Sequence, residues 1–121
     1  MADRGRYLFT VSMDVDPAKE DVFNDVYNTE HTPQLMEVPG VLSGARFVTE
    51  KEVTVVIGGE RHRMIVENEP KYSAIYEIDS PEVLVSDAWA RAVDRGRWPQ
   101  EVRPYTRNRR VVLRHLISPP S

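Results

Sequence analysis

The sequence predicts an α+β domain in which two helices cover one face of a four-stranded antiparallel sheet. Strand and helix signals alternate as β-α-β-(hairpin)-β-α-β along the chain. Both helix starts carry a capping residue followed by proline, Asp16-Pro17 and Ser80-Pro81. Between them, Gly58-Gly59 separates two β-rich runs, the signal of an added hairpin. Two helices with four principal strands make the split βαβ, or ferredoxin-like, arrangement. The 121 residues suit one domain spanning the whole chain, 1–121.

Tyr7 to Asp14 reads as the first strand, with Tyr7, Phe9, Val11 and Met13 on one face at period two. The opposite face, Leu8, Thr10, Ser12 and Asp14, is only half polar. Asp16 then caps a helix, Pro17 suits its first position, and Glu20 and Asp21 complement the positive end of its dipole. Val22, Phe23, Val26, Tyr27 and His31 form its buried stripe, while Asn24, Asp25, Asn28 and Thr29 turn to water. Pro33 is expected to break this helix, because it lacks a donor and disfavours helical geometry at Thr32. Gln34 to Glu37 is expected as a further short turn, ended by Pro39-Gly40.

Val41 to Glu50 reads as the second strand, and Val53 to Val66 as a hairpin extending the sheet. Lys71 to Asp79 is the next strand, with Tyr72, Ala74, Tyr76 and Ile78 on one face. Ser80-Pro81-Glu82 opens a second helix with the apolar stripe Leu84, Val85, Ala88, Trp89 and Ala92, an exposed Asp87–Arg91 pair, and Gly96 as its stop. Arg97 to Pro104 reads as a loop, Tyr105 to Ile117 as a long arginine-rich last strand, and 118–121 as a tail.

Two helices cover only one face of such a sheet, yet the far face carries Leu8, Ile75 and Val112. An apolar face of that kind predicts a second copy packed sheet against sheet about a two-fold axis. The chain has no cysteine, which excludes disulfides, zinc-thiolate sites and thiol catalysis. No secretory signal stands at the start, and no apolar run approaches the roughly 20 residues of a membrane span. A cytoplasmic protein without membrane contact is therefore the expectation. Charge is uneven: residues 1–90 carry 17 acids and 8 bases, whereas 91–121 carry 8 arginines against Asp94 and Glu101. With no nucleic-acid motif beside them, these arginines read as structural partners of acids in the fold or in a second subunit.

The pattern Tyr27-x-x-x-His31-x-Pro33, followed by Pro39-Gly40-Val41 and Ala45-Arg46-Phe47, resembles the EthD-like branch of the dimeric α+β barrel superfamily. The Tyr72-x-Ala74-x-Tyr76-Glu77 strand and the Ser80-Pro81 helix start fit it too, and the similarity covers most of residues 7 to 117. The hairpin at 53–66 departs from the shortest members. The resemblance implies a homodimeric barrel and a helix-one histidine, here His31, that points into a cleft between helices and sheet. It also implies a class of small monooxygenases, lactone isomerases, polyketide cyclases and haem-binding enzymes.

His31 is the candidate catalytic residue: a neutral imidazole on a buried stripe suits proton transfer from a phenol, enol or activated carbon. Its structural alternative is a buried hydrogen-bonder at the Pro33 break. Tyr27, Tyr76 and Tyr105 are candidate substrate contacts through their hydroxyls, as is Tyr72, or else they pack the sheet. Arg46 could anchor a carboxylate or pair with a helix acid. Trp89 and Trp98 are further candidate substrate contacts: Trp89 otherwise packs in the core as part of the helical stripe, and Trp98 could close a pocket or pack at a dimer interface. His62 and His115 have no partner motif and read as structural. Glu30-His31 cannot face one ion from a regular helix, and no H-x-x-x-H or H-E-x-x-H occurs, so no metal site is expected.

The sequence thus predicts a cofactor-independent isomerase, cyclase, lyase or monooxygenase acting on a small aromatic or hydrophobic molecule. Alternatives on the same scaffold are a non-catalytic small-molecule binder and a haem-binding member. Expected partners are a second copy of the chain and a small organic ligand, with no nucleic acid.

Overall fold

The computed structural model describes residues 6–118. Its main sheet has four antiparallel strands in the order β2-β5-β1-β6. They span Tyr7–Val15 (β1), Val41–Val48 (β2), Tyr72–Ile78 (β5) and Thr106–His115 (β6). This order is compatible with the ferredoxin-like arrangement. The register places Phe9, Val11, Met13, Ala74 and Tyr76 on the helix side, as their alternation predicts. The core lies between that side and the helices, with Phe23, Val26, Tyr76, Ile78 and Val102 fully buried. Among the described residues no helix is long and apolar enough to cross a membrane.

Asp16 caps the first helical segment, its side chain accepting from the Ala18 amide at 3.0 Å. A 3₁₀ turn at Pro17–Lys19 leads into α1, Glu20–Val26. The expected break at Pro33 does not occur. Helical geometry continues through a π turn at Tyr27–His31 into α2, Thr32–Met36. In that turn the Thr32 amide donates to the Tyr27 carbonyl, five residues back. The wider turn takes up one extra residue, and helical geometry runs on past Pro33.

The hairpin forms as β3, Glu52–Ile57, and β4, Glu60–Ile65, but it is a separate two-stranded sheet and not an extension of the main one. Thr49 still pairs with Lys71, and Val66 with Lys51. Between those bonds the returning chain carries the extra stretch 67–70, with Asn68 at φ 64 and Pro70, which has no amide to donate. The ladder breaks there, and every residue of β3 and β4 is exposed.

The second helical region also departs from expectation. Ser80 caps as predicted, but Pro81–Val85 winds as a 3₁₀ turn and the backbone extends at Ser86. Ser86 then caps α3, Asp87–Ala92, accepting from the Trp89 amide. The tighter turn shifts the stripe: Val83 is buried and Val85 is 83% exposed. The Asp87–Arg91 pair does not form among the described residues. Arg97 to Pro104, expected as a loop, is instead a π turn at Trp98–Val102 and a 3₁₀ turn at Arg103–Tyr105. Trp98 and Val102 bury their side chains, and that burial holds the segment on the core.

Candidate functional site

His31 closes the π turn after α1 and is 5% exposed, so the stripe Phe23–Tyr27–His31 does face inward. Its imidazole lies flat on the Trp98 indole, with ring centroids 4.1 Å apart at 13°. Tyr27 meets it edge-on at 5.1 Å and touches Trp98 at 4.9 Å. The three rings form a compact aromatic group on the helix side of the sheet.

Trp98 is held against His31 by a pairing of Glu30 with Arg97 that the sequence reading did not anticipate. Glu30 accepts from the Arg97 amide at 3.0 Å and from its Nε at 2.6 Å, and Arg97 also reaches Asp25. These bonds hold the Glu30 carboxyl below its ordinary range, the Arg97 amide contributing most. Gly96 sits at φ 68, and a Cβ there would lie 2.5 Å from a Glu30 oxygen. Glycine is needed both for that conformation and for the carboxylate's approach. On β2, a Cβ on Gly44 would press the Tyr76 ring at 2.8 Å, so this glycine lets the tyrosine lie flat against the sheet.

Beside His31 is a cavity of about 420 Å³. Its walls are Phe9, Val11, Met13 and Val111 from the sheet and Leu35, Trp89, Val93 and Trp98 from the helical layer. Tyr27 and Tyr76 also line it, and Arg103 and Arg109 stand at its side. Trp89 meets Phe9 and Tyr76 edge-on, at 5.7 and 6.0 Å. The Tyr76 hydroxyl shares a hydrogen bond with Thr32 at 3.3 Å.

His31 Nδ1 is buried with no hydrogen-bond partner, and neither imidazole nitrogen bonds to protein among the described residues. The backbone hydrogen bond that the structural alternative invokes is not seen among the described residues. Burial first, and then the Arg103 and Arg109 guanidiniums, push its pKa from 6.5 down to about 4. At neutral pH the ring is an uncharged imidazole able to accept one hydrogen bond and donate another. Burial, followed by the neighbouring Tyr76, raises the Tyr27 hydroxyl well above its usual range, so it stays a neutral donor.

Of the predicted site residues, His31, Tyr27, Tyr76, Trp89 and Trp98 come together around this cavity. Arg46 and Tyr105 do not. Arg46 projects over the far side of Tyr27, its guanidinium 4.4 Å from that ring, and donates to Asn28 and Asn24 instead of to a helix acid. The asparagines occupy the helix face one turn apart opposite β2, and no carboxylate stands at those positions. Tyr105 ends the 3₁₀ turn outside the last strand, with Lys19 over its ring. Tyr72 is on the same sheet face but does not line the cavity, and its hydroxyl donates to Glu20. His115 stacks on Tyr7 at 4.4 Å, and His62 is exposed on β4.

Arg103 was missed because it lies in a segment read as a loop, and Arg109 because the arginine-rich strand reads uniformly. The signal for Arg109 is its period-two alternation with Val111 and Leu113, which puts it on their side of the strand. Among the described residues no group of three or more His, Cys, Asp or Glu side chains is arranged to hold a metal ion. No family model and no curated protein matches the chain.

Proposed function

We propose that the chain is a cofactor-independent enzyme acting on a small aromatic or hydrophobic molecule, with His31 as the proton-transfer group. The observation that carries this reading is the unpartnered Nδ1 of a buried, neutral imidazole beside an aromatic-walled cavity. A ligand phenol, enol or activated C–H supplies the missing partner, and the apolar surroundings strengthen the bond it makes. Stacking on Trp98 fixes the ring plane, while Tyr27 and Tyr76 offer neutral hydroxyls to an oxygen that gains charge as the proton leaves. Isomerisation, cyclisation, lyase chemistry and oxygenation of an electron-rich carbanion all begin with that proton transfer.

The test is proton exchange in D₂O over a panel of enolisable aryl ketones and enol lactones, followed by NMR. The wild-type chain should accelerate C–H to C–D exchange of at least one compound. His31→Ala should keep the fold and lower the rate by roughly 10²–10⁴-fold, the usual contribution of a general base. If His31→Ala unfolds while His31→Gln restores fold and full exchange, the histidine is structural. A non-catalytic binder is the second reading, favoured by a pKa of about 4, which makes the imidazole a weak base.

The finer architecture belongs to the same proposal: two copies join sheet to sheet as a dimeric α+β barrel. Leu8, Phe47 and Val112 support it, being 45%, 52% and 39% exposed on the face away from the helices. Ala45 and Ile75 continue that strip across β2 and β5.

A further inference from the structure

We infer that Arg109 receives the carboxylate of an aromatic acid whose ring lies in the cavity against Trp98 and Trp89. This rests on the cavity being a ligand site and adds the class of ligand. Alternation along the last strand puts Arg109 on the side of Val111 and Leu113, which pair with the helix-side residues Val11 and Phe9. Ser12 pairs with Arg110 and Asp14 with Arg107, so Asn108 and Arg109 together oppose Met13. This is a β-bulge, with Asn108 at φ 56 and its side chain donating to Asp14 at 3.1 Å. The extra residue is Asn108, and Arg109 keeps the side it shares with Val111, lining the same cavity as Met13 and Val111.

Arg109, an exposed residue at the side of the cavity, differs from its arginine neighbours in its partners. Arg110, next along the strand, pairs with Glu69 on the opposite side. Arg103 is held by Asp94 and the Val93 carbonyl. Among the described residues Arg109 has no carboxylate partner, and no acidic side chain lines the cavity. A cavity with apolar walls and an uncompensated guanidinium favours an anion that also brings apolar surface. A carboxylate matches the guanidinium fork, and an attached ring fills the space between the tryptophans. The arrangement also serves the imidazole, because an anion between the arginine and His31 offsets the positive field acting on the base.

Calorimetric titration with 1-naphthoate and its neutral near-isostere 1-naphthamide tests this. Wild type should bind the acid roughly tenfold or more tighter than the amide, as expected of a charge-assisted pair. Arg109→Gln should bring the two within about a factor of two without changing the melting temperature. Arg110→Gln, on the opposite face, should keep the full preference. Equal affinities in wild type, no binding of either probe, a preference surviving in Arg109→Gln, or an equal loss in Arg110→Gln would each overturn the inference. His31→Ala should retain the preference, so failure of proton transfer at His31 and failure of carboxylate recognition are read separately.

Discussion

His31 shows how much one side chain depends on its neighbours. In an unfolded chain it titrates near 6.5, whereas burial and two guanidiniums bring it to about 4 in the fold. Protons therefore bind the unfolded chain preferentially between those values. The sign follows from linkage: the contribution is fully present above pH 6.5 and is lost as pH falls toward 4, after which it levels off. The loss across that window is on the order of 3 kcal/mol for a shift of this size. Chemical denaturation at a series of pH values should show the slope in wild type and a flatter profile in His31→Gln. Identical profiles would mean that the imidazole is not buried neutral.

At the scale of elements, the two π turns matter most. One ends in His31 and the other begins with Trp98, and the stack between these residues joins the turns. Such single turns often mark functional sites, because the inserted residue re-aims the side chains around it. The Glu30–Arg97 bonds and Gly96 set the second turn against the first. Gly96→Ala should therefore cost more than a helix-end substitution elsewhere, through both its positive φ and the displaced Glu30 carboxylate. We expect about 1–3 kcal/mol, read as a fall in melting temperature, with a red shift in tryptophan emission as Trp98 loosens. A variant as stable as wild type, with unchanged emission, would remove Glu30 from the positioning of Trp98.

For the whole molecule the question is what covers the open face of the sheet. The helical layer is short, since α3 has 6 residues, and it leaves Val111 and Leu113 of the edge strand 56% and 41% exposed even on its own side. The hairpin adds Val53, Val55, Ile57 and Met64 on one exposed face of a two-stranded ribbon. Light scattering at micromolar concentration should return a dimer, and Phe47→Glu with Val112→Glu should shift it toward monomer. A monodisperse wild-type monomer would end the barrel proposal and leave the four-stranded domain. Replacing the hairpin residues 52–65 by a short turn should leave that domain folded, because its core includes none of them.

The sequence by itself determined the strands, both caps, the inward stripe of the first helix and the burial of His31. Each of these follows from local rules: alternation at period two, capping side chains and helical spacing. Pro33 shows the limit of such rules, since its local penalty is real but helical geometry runs on past it and the core gains a continuous helix. Trp98 was legible as a residue of interest, but not as a stacking partner, because the bonds that hold it come from Glu30, 67 residues from Arg97. Arg46 and Arg109 are the sharpest contrast. Both are strand cations whose side follows from alternation, but only tertiary structure set their surroundings, two asparagines for Arg46 and the His31 cavity for Arg109. A strand pattern states which side chains share a face. Which of them meet depends on register and bulges, and those are set by packing between segments far apart in the chain.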